Sequence, residues 1–212
     1  MPRVVPVPPG SLGIDTSAKL NAERCKAIAA AGVKFVIRTL PLPNNRPTFD
    51  LDAAETDIIL GAGLGLLAYQ HPLMPGWTAS TEKGVEKGQH AVACAQAALL
   101  LPGTSIVYDA EETASGIDDA CAEMTAFYAN VKGGGYHCPV YQGAGMPLSG
   151  EDWYRRVPFE AYWKSLSNVP APSVRSWCCF QAYPQQQLAG INVDFNMAQN
   201  DYLGGCLRMM VA

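Results

Sequence analysis

From residue 11 onward, short apolar runs alternate with longer amphipathic ones, and the junctions carry Gly, Pro, Asn or Asp. This rhythm points to repeated βα units, because a buried strand reads as a continuous apolar run and a surface helix as an apolar stripe at helical spacing. The pattern predicts strands over Leu12–Thr16, Lys34–Leu40, Leu64–Gln70, Ser105–Ala110 and Cys138–Gln142. Helices are expected over Ala22–Ala31, stopped by Gly32 in a left-handed cap, and over Asp50–Leu60, with Asp50 or Thr48 as N-cap. A third helix opens at Ser80 and runs to about Leu101, where Pro102-Gly103 breaks it. A fourth spans Asp118–Val131 and ends in Gly133-Gly134-Gly135, and Gly150–Arg156 makes a short fifth.

Then the rhythm changes. Ala161–Leu166, Ser176–Ala182 and Ile191–Phe195 read as strands, but their links, around Val169–Pro172 and Pro184–Gln187, hold no convincing helix. Five βα units followed by three bare strands predict an α/β fold: a single TIM-like barrel of eight mostly parallel strands over residues 11–212, preceded by an extended arm over 1–10. Such barrels carry their functional groups at the C-terminal ends of the strands.

Composition agrees with a large packed interior. The 212 residues are 49% hydrophobic and 16% charged, against an average near 25% charged, which excludes disorder. Eight-stranded barrels typically take ~250 residues, and the missing late helices account for the shortfall. The net charge of −4 and a lone adjacent basic pair, Arg155-Arg156, argue against nucleic-acid binding. The longest apolar stretches, Ile28–Val33 and Ala97–Leu101, fall far short of the roughly 20 residues that cross a bilayer. With no signal-peptide pattern near Met1, the expectation is a soluble protein made in the cytoplasm. Seven irregularly spaced cysteines without a C-x-x-C pair are expected as buried free thiols.

The strand-end rule turns the sequence into a short set of acids. Asp15 ends the first strand, Asp109 and Glu111 end the fourth, and Asp194 ends the last, which should close the barrel beside the first. Asp109 and Glu111 lie two apart on an extended chain and so share a face, while Glu112 faces away. Clustered carboxylates without histidines suit glycoside hydrolysis, in which one carboxyl stays protonated to donate to the leaving oxygen while another stabilises positive charge at the sugar carbon. Mutual repulsion raises the pKa of one member, and Glu111, on the longer side chain, is the expected general acid. Single acids after strands also act as helix caps, the preferred reading for Asp50, Asp52, Asp118 and Asp119. The same carboxylates could instead bind Mg²⁺ or Ca²⁺. His71, His90 and His137 show no paired spacing for zinc, and no motif calls for a cofactor: Gly61-Ala62-Gly63-Leu64-Gly65 precedes a strand and reads as a helix-stop turn. Tyr69, Trp77, Tyr141, Trp163 and Tyr183 stand near strand ends, where they either stack on sugars or pack the core.

Four segments in order resemble the family 25 glycoside hydrolases, lysozymes that cut peptidoglycan, and the related glycoside-hydrolase-like domains. They are Gly13-Ile14-Asp15-Thr16-Ser17 with Ala31-Gly32-Val33-Lys34-Phe35-Val36-Ile37, then Asp109-Ala110-Glu111, Phe180-Gln181-Ala182-Tyr183 and Gly190-Ile191-Asn192-Val193-Asp194-Phe195-Asn196. The resemblance implies Asp15, Asp109, Glu111 and Asp194 as the acidic set, with Glu111 as acid and Tyr69, Tyr141, Trp163 and Gln181 contacting sugar. It implies a peptidoglycan glycan strand as partner and action at the cell wall, reached by phage-type release, for a protein expected to be a monomer. Arg38-Thr39-Leu40-Pro41 and Tyr69-Gln70-His71-Pro72 depart from the lysozymes' usual segments at the substrate cleft. A catalytically silent glycan- or envelope-binding barrel and a metal-assisted hydrolase are the alternatives.

Overall fold

Successive residues of a strand point to opposite faces, and here the two faces build two separate cores. One set, including Phe35, Ile37, Leu67, Tyr69, Val107, Ala161, Trp163, Cys179 and Ala198, fills the inside of a barrel. The alternate set, including Ile14, Val36, Leu66, Ala68, Tyr108, Val140 and Tyr162, packs under the surrounding helices. The computed structural model describes residues 1–44, 49–70 and 74–212, and of Tyr183 the backbone alone. Its elements are β1 (Arg3–Pro6), β2 (Leu12–Thr16), α1 (Ala22–Ala30), β3 (Phe35–Leu40), α2 (Ala53–Gly61), β4 (Gly65–Gln70), α3 (Thr81–Ala97), β5 (Ile106–Ala110), α4 (Ile117–Gly133), β6 (Val140–Gln142), α5 (Gly150–Arg155), β7 (Tyr162–Lys164), β8 (Cys179–Leu188), β9 (Ile191–Ala198) and β10 (Arg208–Val211).

Strands β2 to β9 close into an eight-stranded α/β barrel, sealed where β4 pairs with β5. From β2 to β8 the neighbours are parallel; β9 runs antiparallel to both β8 and β2. Residues 1–10, read as an arm, carry β1, which pairs with β10, and β10 reaches β4 through Met210 opposite Leu66. Val7, Leu207 and Met209 join the interior core there and close the base. No sequence pattern flagged β10, because RMMV is short and its partners lie at the two extremes of the chain.

Several boundaries differ from expectation. Asp52, not Asp50, caps α2, its side chain accepting from the Glu55 amide; Thr48 lies outside the described residues. Ser80 caps α3 as expected, but the helix ends at Ala97, well before Pro102. Leu99 takes a left-handed φ of 60°, and the Leu100 amide bonds back to the Ala95 carbonyl, a Schellman stop without glycine. Pro184–Gln187 is not a loop. It belongs to β8, which resumes pairing with β9 at Gln186 opposite Val193 after a register shift and turns at Ala189 and Gly190. Gln185, Gln186 and Gln187 put exposed polar side chains on both faces of this part of β8, so no alternation betrayed it.

Two glycines of α3 let the longest helices touch. A Cβ on Gly84 would lie 2.2 Å from the Glu123 carbonyl oxygen, and one on Gly88 2.8 Å from the Asn130 Cβ. Between these helices the buried Lys87 ammonium pairs with Glu123, which also accepts from the Tyr108 hydroxyl at 2.8 Å and the Ser80 amide at 2.9 Å. A buried ion pair is stable only when its remaining valences are met in this way.

Candidate active site

The interior set continues upward into acids. On β2 the inward positions are Gly13 and Asp15, and on β5 they are Val107 and Asp109, with Glu111 one step past the strand. Asp194 does not end its strand as expected: it lies inside β9. Because β9 runs the opposite way, its early residues are the ones near the mouth, and Asp194 sits directly across from Asp15. Asp15, Asp109, Glu111 and Asp194 thus line one cavity of about 160 Å³, together with Tyr69, Tyr141, Trp163 and Gln181. A second hollow of about 360 Å³ adjoins it, sharing Asp15, Tyr69 and Asp194 and adding Thr16, Ser17, Phe49, Gln185 and Asn192. No cation lines either hollow among the described residues.

Hydrogen bonds fix Asp15. The Tyr141 hydroxyl donates to Gln181 Oε1 at 2.9 Å, which orients the amide so that Nε2 donates to Asp15 Oδ2 at 3.1 Å. Asn196 Nδ2 donates to the same oxygen at 2.7 Å. These donors favour the carboxylate, whereas burial, the largest influence, and the facing Asp194 favour the acid; the balance leaves the Asp15 pKa raised to about 7. Asp109 is buried without any partner for Oδ1. Burial first, then the charges of Glu111 and Asp15, hold its carboxyl well above the usual range. Glu111 is raised by burial and then by Glu112, and Asp194 by burial, against a hydrogen bond from Gln185 at 3.3 Å.

The backbone at Glu111 is held from three sides. Trp77 Nε1 donates to the Glu111 carbonyl at 2.6 Å, so Trp77 serves the acid's main chain and does not line the cavity as a sugar platform. Glu112 adopts φ 54° and ends the alternation, its amide bonding to the Ala144 carbonyl at 2.7 Å. Gly143 gives the Glu111 side chain its space: a Cβ there would stand 2.2 Å from Glu111 Cβ and 2.6 Å from Oε2.

Aromatic residues floor the cavity. Trp163 is only 1% exposed and meets Tyr141 and Tyr69 edge-on, at centroid separations of 4.6 and 6.1 Å. It therefore presents no broad open face. The side chain of Tyr183 and the whole of His71 lie outside the described residues. Behind the second hollow, the fully buried Arg38 forms a 2.8 Å ion pair with Glu55 and donates to the carbonyls of Thr16 and Phe49, tying together the loops that wall it. Sequence reasoning left Asn196, Gly143 and Arg38 without roles. Asn196 was within reach, since it lies two residues from Asp194 on one strand and so shares its face. Among the described residues, no three His, Cys, Asp or Glu side chains are grouped so as to hold a metal ion.

A family model matches residues 26–196, described as the Rv2525c-like, glycoside hydrolase-like domain. The chain belongs to this family. The match includes Asp109, Glu111 and Asp194 and begins after Asp15. Among solved structures, the Tat-secreted protein Rv2525c of Mycobacterium tuberculosis, in complex with L-tartrate, is similar with a TM-score of 0.68 at 14% identity, over 91% of this chain and 99% of that one. An uncharacterized B. stearothermophilus protein gives 0.69 at 15% identity, over 90% and 96%. The catalytic domain of endolysin ply40 from bacteriophage P40 of Listeria monocytogenes gives 0.60 at 17% identity, over 89% and 93%. At these identities the likeness is one of fold. No curated protein matches by sequence.

Proposed function

We propose that the protein is a glycoside hydrolase of the lysozyme type, similar to the family 25 enzymes and cutting the glycan strands of peptidoglycan. The observation that carries this reading is the convergence of Asp15, Asp109, Glu111 and Asp194 on one cation-free cavity at the strand ends. So many carboxyls in a low-dielectric space cannot all ionise, and retained protons are what acid catalysis of glycosidic cleavage requires. Glu111, the member at the strand's exit with its pKa raised, donates its proton to the leaving oxygen. Asp194 and Asp15 face the opening positive charge at the sugar carbon, and Asp109 stays protonated behind them as a hydrogen-bond donor. Tyr69, Tyr141 and Gln181 contact the sugar bound there. Endolysin ply40 among the structural neighbours supports a cell-wall substrate, and both it and the Tat-secreted Rv2525c support action beyond the membrane. No described helix is long and apolar enough to cross a membrane.

A silent glycan-binding barrel is the second reading, favoured by the cavity's size: about 160 Å³ is below the roughly 300 Å³ at which ligand sites usually begin. Mass analysis of fragments released from purified peptidoglycan separates the two. The enzyme reading expects new reducing ends, reduced about 10²- to 10⁴-fold by Glu111→Gln. Binding to peptidoglycan without any release would overturn it in favour of the silent barrel.

A further inference from the structure

A larger concavity, of about 350 Å³, lies at the other end of the barrel, lined among others by Lys132, His137, Glu160, Arg175, Cys206 and Arg208. Lys132 lies in the last turn of α4, Arg208 is the first residue of β10, and the others stand on the segments leading into β6, β7, β8 and β10. The cavity therefore opens at the N-terminal ends of the strands, away from the carboxylates. We propose that it is a binding site for a phosphate-type oxyanion, held by Lys132, Arg208 and the ring N–H of His137.

The charge inventory supports this. Arg175 is already neutralised by Asp201 at 2.9 Å. Neither Lys132 nor Arg208 has an acidic partner among the described residues, and Glu160 is the single carboxylate on the wall. Cys206 brings no negative charge, because burial raises its thiol. An excess of positive charge thus collects in one hollow of a chain whose net charge is −4.

His137 supplies a directional donor. Ser105 Oγ accepts from the Arg208 amide at 2.8 Å and lies 2.9 Å from His137 Nδ1. With Nδ1 engaged by Ser105, Nε2 is the ring nitrogen left for a ligand, and it donates when the serine hydroxyl gives its proton to Nδ1. Burial, followed by the charges of Arg208 and Lys132, lowers the His137 pKa to about 3. The ring is therefore a neutral donor at physiological pH, in a field that an incoming anion relieves. Volume also fits, since ligand sites commonly span about 300–1,000 Å³, leaving room for the organic part of a phosphorylated molecule.

The test is a titration of the intact protein with inorganic phosphate at constant ionic strength, read by the ring resonances of His137 and by thermal shift. The expected result is a saturable displacement of the His137 signals with a rise in Tm. Lys132→Gln and Arg208→Gln, both exposed positions, should each weaken binding about tenfold, the scale of one charge-assisted hydrogen bond. Glu160→Gln should tighten it several-fold, and acetate, with one charge, should bind more weakly than phosphate. Glu111→Gln, at the far end, should leave phosphate binding unchanged. A non-saturating response, or affinity indifferent to Lys132→Gln, Arg208→Gln and Glu160→Gln, would overturn the proposal.

Discussion

At the mouth of the barrel four carboxylates line a cavity with no cation, and at the base Lys132 and Arg208 line one whose single carboxylate is Glu160. The contrast goes beyond sign. The mouth acids Asp15 and Asp109 are strand residues, 6% and 7% exposed, Asp15 paired with Ile37 and Asp194 on its two sides and Asp109 with Tyr141 of β6. The basic groups at the base, Lys132 in the last turn of α4 and Arg208 at the start of β10, are exposed side chains. Burial therefore does most of its work at the mouth, where it holds protons on carboxyls. At the base the charges stay hydrated, and what they attract will weaken as salt is added. A parallel barrel separates the two tasks naturally, since its two ends are made from different loops.

The largest test of this contrast is the pH dependence of stability. Asp15 rises from an ordinary 3.8 to about 7 on folding, so between those values the folded protein holds a proton that the unfolded chain has released. Stability from this group is full below about pH 4 and is lost as pH rises through 7. At about 1.36 kcal/mol per pH unit the loss is on the order of 4 kcal/mol, and Asp109 adds to it in the same direction. Urea midpoints should fall between pH 4.5 and 7.5 in the parent, and Asp15→Asn should flatten the slope. Arg208→Gln, at the base, should leave the slope as it was. An unchanged slope in Asp15→Asn would mean that Asp15 ionises as freely folded as unfolded, and the mouth would then differ from the base only in sign.

The next test moves the acid without removing it. Gly143→Ala places a methyl 2.2 Å from Glu111 Cβ and 3.2 Å from its Cα, so the main chain at Glu111 must shift and carry the carboxyl with it. A displacement near 1 Å costs about 10²-fold in rate, and kcat on peptidoglycan should fall by that amount, with a lower Tm from the forced backbone shift. Retained activity would show that Glu111 is not the proton donor. Phosphate binding at the base should be untouched.

These two ends were not equally legible in the sequence. The mouth could be read because its acids follow from one rule, inward alternation at strand ends, applied to apolar runs that are visible locally. Gly32 and the glycines after α4 announced their helix stops for a similar reason, since a left-handed φ is written into the residue type. Leu99, which makes the same turn without glycine, gave no such sign. The base cavity was invisible because five separate stretches of chain contribute to it, with Lys132 at the end of α4, Arg208 at the start of β10 and the rest in connecting segments. Pro184–Gln187 reads as a loop because Gln185, Gln186 and Gln187 leave both faces of β8 polar there, and Asp194 was placed by a parallel-strand rule that β9 breaks while keeping the acid at the mouth.

The smallest effect is the most specific to the acid's own neighbourhood. Glu112 is exposed and does not line the cavity, yet its left-handed backbone keeps it close enough that its charge, after burial, raises the Glu111 pKa. Glu112→Gln removes that charge while keeping the side chain's size and the amide bond to Ala144. Glu111 should then lose its proton at lower pH, and the alkaline limb of the kcat profile should move toward acid, with little change in rate at the optimum. Glu160→Gln alters a carboxylate of the same kind at the base and should move nothing in that profile. If Glu112→Gln also leaves the limb in place, the proton lost there belongs to another group, and Asp109, whose carboxyl burial and the neighbouring acids hold well above the usual range, becomes the donor to test.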